Sequence, residues 1–147
     1  MGRCIGQGGF EAVFEARWKK REVAAKARSG NQLESLSHEI LILTSLPSHP
    51  NVLTFIEVAL NSDVISTSII TKLAPNGLLH DYLHVKKEEP LLDQSSAWAL
   101  QVASGMQHLH STNVVHHDLK SANILLSWVC WLVCNFGILL VTWPRQQ

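Results

Sequence analysis

The spacing of apolar positions changes along the chain, and each change marks an element. Over the first 28 residues they gather around a run of glycines and continue as "AVFEARW" and "EVAAKA", which predicts strands. From Asn31 to Leu46 the period lengthens. Leu33, Leu36, Ile40 and Leu43 recur three or four apart and share one face of a predicted helix. Pro47 and Pro50 in "LPSHPN" end it, because neither can donate to a helical ladder. Strand-like segments follow at Val52–Val58 and Val64–Lys72. The turn "APNG" leads to a short helix from Leu78 to about Val85. Asp93 is the expected N-cap of a longer helix through His110, with Ala99, Val102, Met106 and Leu109 as its buried stripe. The order predicts an α+β fold: a β-rich lobe carrying one helix, joined through "KLAPNG" to a helical lobe.

Composition narrows the class without naming an activity. A chain of 147 residues with 46% hydrophobic and 16% charged residues builds a real core, as one domain or two small lobes. Twelve basic residues balance twelve acidic ones, which argues against a nucleic-acid partner. Three cysteines, Cys4, Cys130 and Cys134, make no disulfide framework and point to a reducing, cytoplasmic setting. "MGRCIGQGGFE" has no apolar signal-peptide region, and Gly6 stands where a myristoylation signal needs Ser or Thr.

Four stretches carry candidate chemistry. "IGQGGFEAVFEA" sets Gly6, Gly8 and Gly9 in a tight turn between strands, where backbone amides can approach a phosphate and Val13 offers an apolar surface to a flat ring. Taken alone, it reads as well as a structural hairpin. Lys26 ends the small-residue strand "VAAK", either snorkelling to solvent or presented inward to a phosphate. Glu39, in the helix that follows, either pairs with Lys26 or is solvated. "HHDLKSAN" is more specific: Asp118 is followed two residues on by Lys120 and five residues on by Asn123. A carboxylate, an ammonium and an amide at that spacing suit orienting a hydroxyl, neutralising a γ-phosphate and holding a divalent metal.

In order, "GQGGF", "VAAK", "HEILIL", "HPNVL", "IITKLAPNGLLHDYLH" and "GMQHLHSTNVVHHDLKSANILL" resemble the protein kinase family from about residue 3 to residue 126. The resemblance is to the tyrosine-kinase-like serine/threonine branch, since "DLKSAN" is similar to loops of Ser/Thr specificity. It covers the first half of a kinase domain: an N-lobe at 1–71, a hinge at 72–76 and the start of a C-lobe at 77–126. It implies ATP and Mg²⁺ as cofactors and a protein substrate that the sequence does not identify. Ile5, Gly6 and Gly8 match the loop over the nucleotide phosphates. Val13 and Ala24 match the roof of the adenine pocket and Leu125 its floor. Lys26 matches the lysine that contacts the α- and β-phosphates and pairs with a helix carboxylate, here Glu39. Thr71 matches the gatekeeper, and Lys72, Leu73 and Ala74 the hinge that bonds adenine through its backbone. Asp118 matches the catalytic aspartate, Lys120 the γ-phosphate contact and Asn123 a metal ligand.

The chain departs from the family pattern at four places. Glu11 replaces the third glycine of the phosphate loop and sets a negative charge near the nucleotide, a modest effect if it points to solvent. His117 replaces the arginine that typically meets a phosphorylated activation loop. Asn135, in "CNFG", stands one residue early in the place of the metal-binding aspartate, as a degraded equivalent or a coincidence. Beyond Gly137 no activation segment follows, which implies an exposed helical face for a partner.

Residues 127–147, an apolar tail, have three readings. They are strands around a weakened metal turn; or Ile124–Trp143, twenty residues without a charge, spans a bilayer; or they are foreign to the kinase frame. The abrupt end of motif matching favours the third, and a membrane is the least expected. The implied activity is phosphoryl transfer from ATP to protein Ser or Thr in a truncated, impaired domain. The alternative is a non-catalytic, pseudokinase-like module that binds nucleotide or protein. The pairs His80/His84 and His108/His110 lack a third ligand and read as surface or capping residues, and Cys130 and Cys134 as apolar filler.

Overall fold

The structure is a computed structural model. It describes residues 2–7, 11–28, 33–61, 66–87, 89–127, 130–134 and 139–140, and only the backbone of residues 28, 33–36, 61, 66 and 139–140. The chain divides into two compact units, residues 1–44 with 54–73, and residues 45–53 with 74–147.

The first unit is an antiparallel sheet of β1 (Cys4–Gln7), β2 (Glu11–Trp18), β3 (Arg21–Arg28), β4 (Phe55–Asn61) and β5 (Ser66–Lys72), in the order β1-β2-β3-β5-β4, with α1 (Leu33–Ser45) between β3 and β4. Lys19 and Lys20, at φ 47° and 68°, form the two-residue turn between β2 and β3. Left-handed conformations at both positions match the twist of a hairpin. That turn fixes the ladder from Trp18 opposite Arg21 to Val13 opposite Lys26 and Glu11 opposite Arg28.

Alternation then sorts the side chains onto two faces. Val23, Ala25 and Ile70 form a buried cluster with Ala16, Trp18 and Ala59 packed on it. Trp18 Nε1 and Lys19 Nζ both donate to Glu57 Oε2, at 2.8 and 2.7 Å, tying the hairpin end to β4. Val13, Ala24, Lys26, Ile69 and Thr71 share the opposite face through their register. In α1, Glu39, Ile42 and Leu43 are buried and Ile40 is half-buried. The side chains of Leu33 and Leu36, the other half of the expected stripe, lie outside the described residues.

The second unit contains the loop 45–53, a π-helical turn at Asp81–Val85, α2 (Leu92–Ser111), β6 (Val114–Val115), β7 (Ile124–Leu126), β8 (Trp131–Val133) and β9 (Leu139–Leu140). β6 pairs with β9 and β7 with β8, both antiparallel. The helix begins one residue before the expected cap. Leu91 is extended, its carbonyl takes the first helical bond from Ser95 at 2.9 Å, and its N–H donates to Gln94 Oε1 at 3.2 Å. Asp93 lies in the first turn, where its charge suits the positive end of the helix.

The covered stripe of α2 matches the expected one except at Ala99. Leu109 and Gly105 are buried and Trp98, Val102 and Met106 half-buried, whereas Ala99 is exposed. Gly105 marks the closest approach. A Cβ there would stand 2.5 Å from the Asn51 carbonyl oxygen and 3.1 Å from Val133 Cγ2, so the helix rests on backbone at this point. Trp98 makes edge contacts with Tyr82 and Trp131, at centroid separations of 5.2 and 5.1 Å.

The loop 45–53, counted with the N-lobe in the sequence reading, groups with the second unit. Asn51 Nδ2 donates to the Trp131 carbonyl at 3.2 Å. The Asn51 carbonyl accepts from Val133 at 3.0 Å, and the Val133 carbonyl accepts from Leu53 at 3.0 Å. His49 stacks on His108 with centroids 4.5 Å apart, and His108 Nε2 donates to the Pro47 carbonyl at 3.0 Å.

Trp131–Val133 form a strand, in line with the strand part of the first of the three readings of the tail, with Trp131, Leu132, Val133 and Cys134 all buried; the proposed metal turn at Asn135 lies outside the described residues. Among the described residues no helix is long and apolar enough to cross a membrane.

Candidate functional site

The candidate residues fall in two groups, one in each unit. In the first, Ala24 is buried, Val13 and Gly6 are half-buried and Ile5 is 40% exposed. Gly6 lies opposite Val13 in the ladder. A Cβ there would make only ordinary 3.7 Å contacts, so packing within the sheet does not demand the glycine. Thr71 is buried opposite Ala24, and Leu73 is half-buried where the first unit ends. Gly8 lies outside the described residues.

Lys26 is held by two carboxylates. Its Nζ is 2.9 Å from Glu39 Oε1 and 3.2 Å from Glu11 Oε2. The Lys26 side chain is 14% exposed and that of Glu39 only 5%, so this is a largely desolvated pair and not a surface contact. The solvated alternatives for Lys26 and Glu39 are thereby replaced by an inward lysine.

In the second unit, the loop after β6 is organised around His116, which is fully buried. Its Nε2 donates to the Cys134 carbonyl at 2.8 Å and its Nδ1 accepts the Asp118 N–H at 3.2 Å, which assigns the neutral Nε2–H tautomer. His117 follows at φ 60°, a left-handed conformation that costs about 1–2 kcal/mol for a residue with a Cβ. Its exposed side chain leaves the chain free to turn between His116 and Asp118.

Asp118 Oδ2 accepts from Lys120 Nζ at 2.8 Å and from Asn123 Nδ2 at 2.9 Å, and Asn123 Nδ2 also donates to the Asp118 carbonyl at 2.7 Å. Hydrogen bonding from Lys120 first, then from Asn123, lowers the Asp118 pKa below its ordinary 3.8. Asn123 is buried, and its carbonyl takes the Cys134 N–H at 3.0 Å and the thiol at 3.3 Å. The network fixes the side-chain amide: its nitrogen faces Asp118, so its oxygen, the atom with metal-ligand chemistry, points elsewhere. Leu125 is half-buried in β7 and bridges to Leu78. Asn135 lies outside the described residues; the residue before it, Cys134, is anchored from both His116 and Asn123.

Three participants were not singled out by the sequence reading: His116, Asn51 and the Glu11–Lys26 contact. Asn51 carries no periodic signal, since a polar residue after Pro50 reads as loop. The Glu11 contact was recoverable from the turn at Lys19–Lys20, which sets Glu11 one alternate position from the residue facing Lys26. His80 and His84 are exposed, with rings 4.8 Å apart. Among the described residues no cluster of three or more His, Cys, Asp or Glu is placed to hold a metal.

A profile described as protein tyrosine and serine/threonine kinase matches residues 1–144. A probable serine/threonine-protein kinase of Dictyostelium discoideum is 35% identical over 135 residues, 83% of this chain and 10% of that protein. One of Arabidopsis thaliana is 34% identical over 147 residues, 94% of this chain and 14% of its own length. A mitogen-activated protein kinase kinase kinase of Caenorhabditis elegans is 31% identical over 152 residues, 93% of this chain and 20% of its own. The chain spans a tenth to a fifth of the length of these relatives.

Proposed function

The chain belongs to the protein tyrosine and serine/threonine kinase family, and we propose that it transfers the γ-phosphoryl group of ATP to a protein serine or threonine hydroxyl, slowly. The observation that carries this reading is the Asp118 network, in which one carboxylate oxygen is shared by Lys120 and Asn123. That arrangement keeps Asp118 ionised and oriented to accept a hydrogen bond from an incoming hydroxyl. Lys120 is half exposed, so its ammonium can turn from Asp118 to a γ-phosphate oxygen. Lys26, set by Glu39, is the contact for the α- and β-phosphates. By their match to the family's motifs, Val13 and Ala24 are assigned to the adenine roof, Leu125 to its floor, Thr71 to the gatekeeper, Leu73 to the hinge backbone, and Ile5, Gly6 and Gly8 to the loop over the phosphates.

Magnesium-bound ATP supplies the transferable group and the metal charge that offsets it. The donor set fits a metal in part. Asn123, with its amide nitrogen committed to Asp118, supplies one neutral oxygen ligand. Asn135 is proposed as the second, and the double anchoring of Cys134 supports reading "NFG" as a weakened metal turn. An amide there holds Mg²⁺ less well than a carboxylate, which is the reason for slow transfer. The tyrosine-kinase-like branch is supported by "DLKSAN" and by the similarity to a mitogen-activated protein kinase kinase kinase. A cytoplasmic setting is supported by three free cysteines. Leu92 and Leu100, 81% and 72% exposed on α2, are proposed as a partner surface.

The second reading, a non-catalytic nucleotide- or protein-binding module, is favoured by Glu11 on Lys26 and by the neutral Asn135. Incubation with γ-labelled ATP and a general protein substrate, followed by phosphoamino-acid analysis, separates the two. Label on serine or threonine supports the kinase reading. ATP binding without any label moves the assignment to the second.

A further inference from the structure

Glu11 stands where the nucleotide reading needs a phosphate. In the β2–β3 ladder Val13 faces Lys26, so Glu11 is the diagonal neighbour of Lys26 on the same face of the sheet. Long side chains reach each other across that diagonal, and here they meet, with Glu11 Oε2 at 3.2 Å from Lys26 Nζ. Glu39 holds the same ammonium at 2.9 Å from α1. One cation thus serves two carboxylates. The Glu11 side chain is 31% exposed against 5% for Glu39, so Glu11 is the partner that can be displaced.

We propose that Glu11 is a built-in counter-ion that occupies the phosphate position on Lys26, so that the site takes adenosine about as tightly as ATP. The inference rests on the nucleotide reading above and goes beyond it in naming the ligand class that the site prefers. An incoming triphosphate must break the Glu11–Lys26 contact and then accept a like charge beside it. An uncharged nucleoside does neither. Removing the Glu11 charge frees Lys26 for phosphate without touching groups that would meet an adenine ring.

The test is calorimetric titration of the full chain with adenosine and with ATP in the presence of Mg²⁺. Wild type is compared with Glu11→Gln, which keeps shape, and Glu11→Gly, which restores the residue usual in the family. The expected result is near-equal affinity of wild type for the two ligands, with ATP binding strengthened about tenfold in both variants and adenosine unchanged. Circular dichroism confirms that each variant is folded, and either one alone decides the question. Adenosine binding with no gain for ATP in a folded variant overturns the counter-ion role and leaves the nucleotide reading intact. A wild type that already binds ATP far more tightly than adenosine overturns it as well. Failure of all three proteins to bind either ligand removes the nucleotide reading and this inference with it.

Discussion

Asn123 grips Asp118 twice through one nitrogen, at 2.7 Å to the backbone carbonyl and 2.9 Å to the carboxylate, while Lys120 takes the same carboxylate oxygen at 2.8 Å. The sign of the resulting pH dependence follows. Both partners bind the ionised form, so the Asp118 pKa falls below 3.8 in the folded chain. The unfolded chain then holds more protons between the lowered value and the ordinary one. The loop's stabilisation is present above 3.8 and is lost as pH falls through the lowered value. Carboxyl-carbon NMR is expected to show a midpoint below 3.8 that moves up in Lys120→Ala.

Replacing Lys26 by Met removes the ammonium from Glu39, whose side chain is only 5% exposed. Urea unfolding is expected to show a loss of about 3 kcal/mol. The pair replacement Lys26→Met with Glu39→Leu is expected to recover most of it, because the buried charge is then gone as well. An equal loss in the single and double variants would show that packing, not charge, sets the cost.

The contact of α2 with the loop 45–53 has its own test. Gly105→Ala forces a Cβ to within 2.5 Å of the Asn51 carbonyl oxygen. Backbone cannot swing away as a side chain can, so a destabilisation of at least about 2 kcal/mol is expected. Asn51→Ala removes the bond to the Trp131 carbonyl and is expected to cost about 1–3 kcal/mol. Thermal or urea unfolding of each variant measures both.

How far the sequence discloses the protein can be judged from single residues. Leu43 was legible because it follows the helical repeat, whereas the position of Lys26 at the end of an apolar strand left solvent and interior both open, and only the family resemblance implied the inward lysine. The Asp118, Lys120 and Asn123 set was legible from spacing alone. The stripe of α2 was legible in part. Apolar periodicity placed Val102, Met106 and Leu109 on the covered side, but it also placed Ala99 there, whereas a glycine at the closest approach and a half-buried tryptophan bring Gly105 and Trp98 inward. The grouping of the loop 45–53 with the second unit was not legible, because its anchors, Asn51 and His49, carry no periodic signal and reach partners about 80 and 60 residues away. Residues 127–147 read as foreign because motif matching stops there, and the strand Trp131–Val133, buried at every position, offers no alternation that would have marked it.

The stacked pair of His49 and His108 adds a second pH effect. Burial, and then the neighbouring His108, lower the His49 pKa below 6.5, and its Nδ1 accepts the Asn51 N–H at 3.2 Å. The folded chain therefore resists protonation of His49. Stability is expected to be full above 6.5 and to fall as the pH drops below it toward the lowered folded value. Imidazole proton NMR is expected to show His49 titrating below 6.5, and closer to that value in His108→Gln.

The central claim is that Asp118 directs phosphoryl transfer in this chain, and its most direct measurement is label transfer from γ-labelled ATP to a general protein substrate by wild type and Asp118→Ala at equal nucleotide occupancy. The account predicts slow labelling of serine or threonine by wild type, reduced at least about a hundredfold in the variant. Equal labelling by the two proteins, or no labelling by a wild type saturated with ATP, would contradict it.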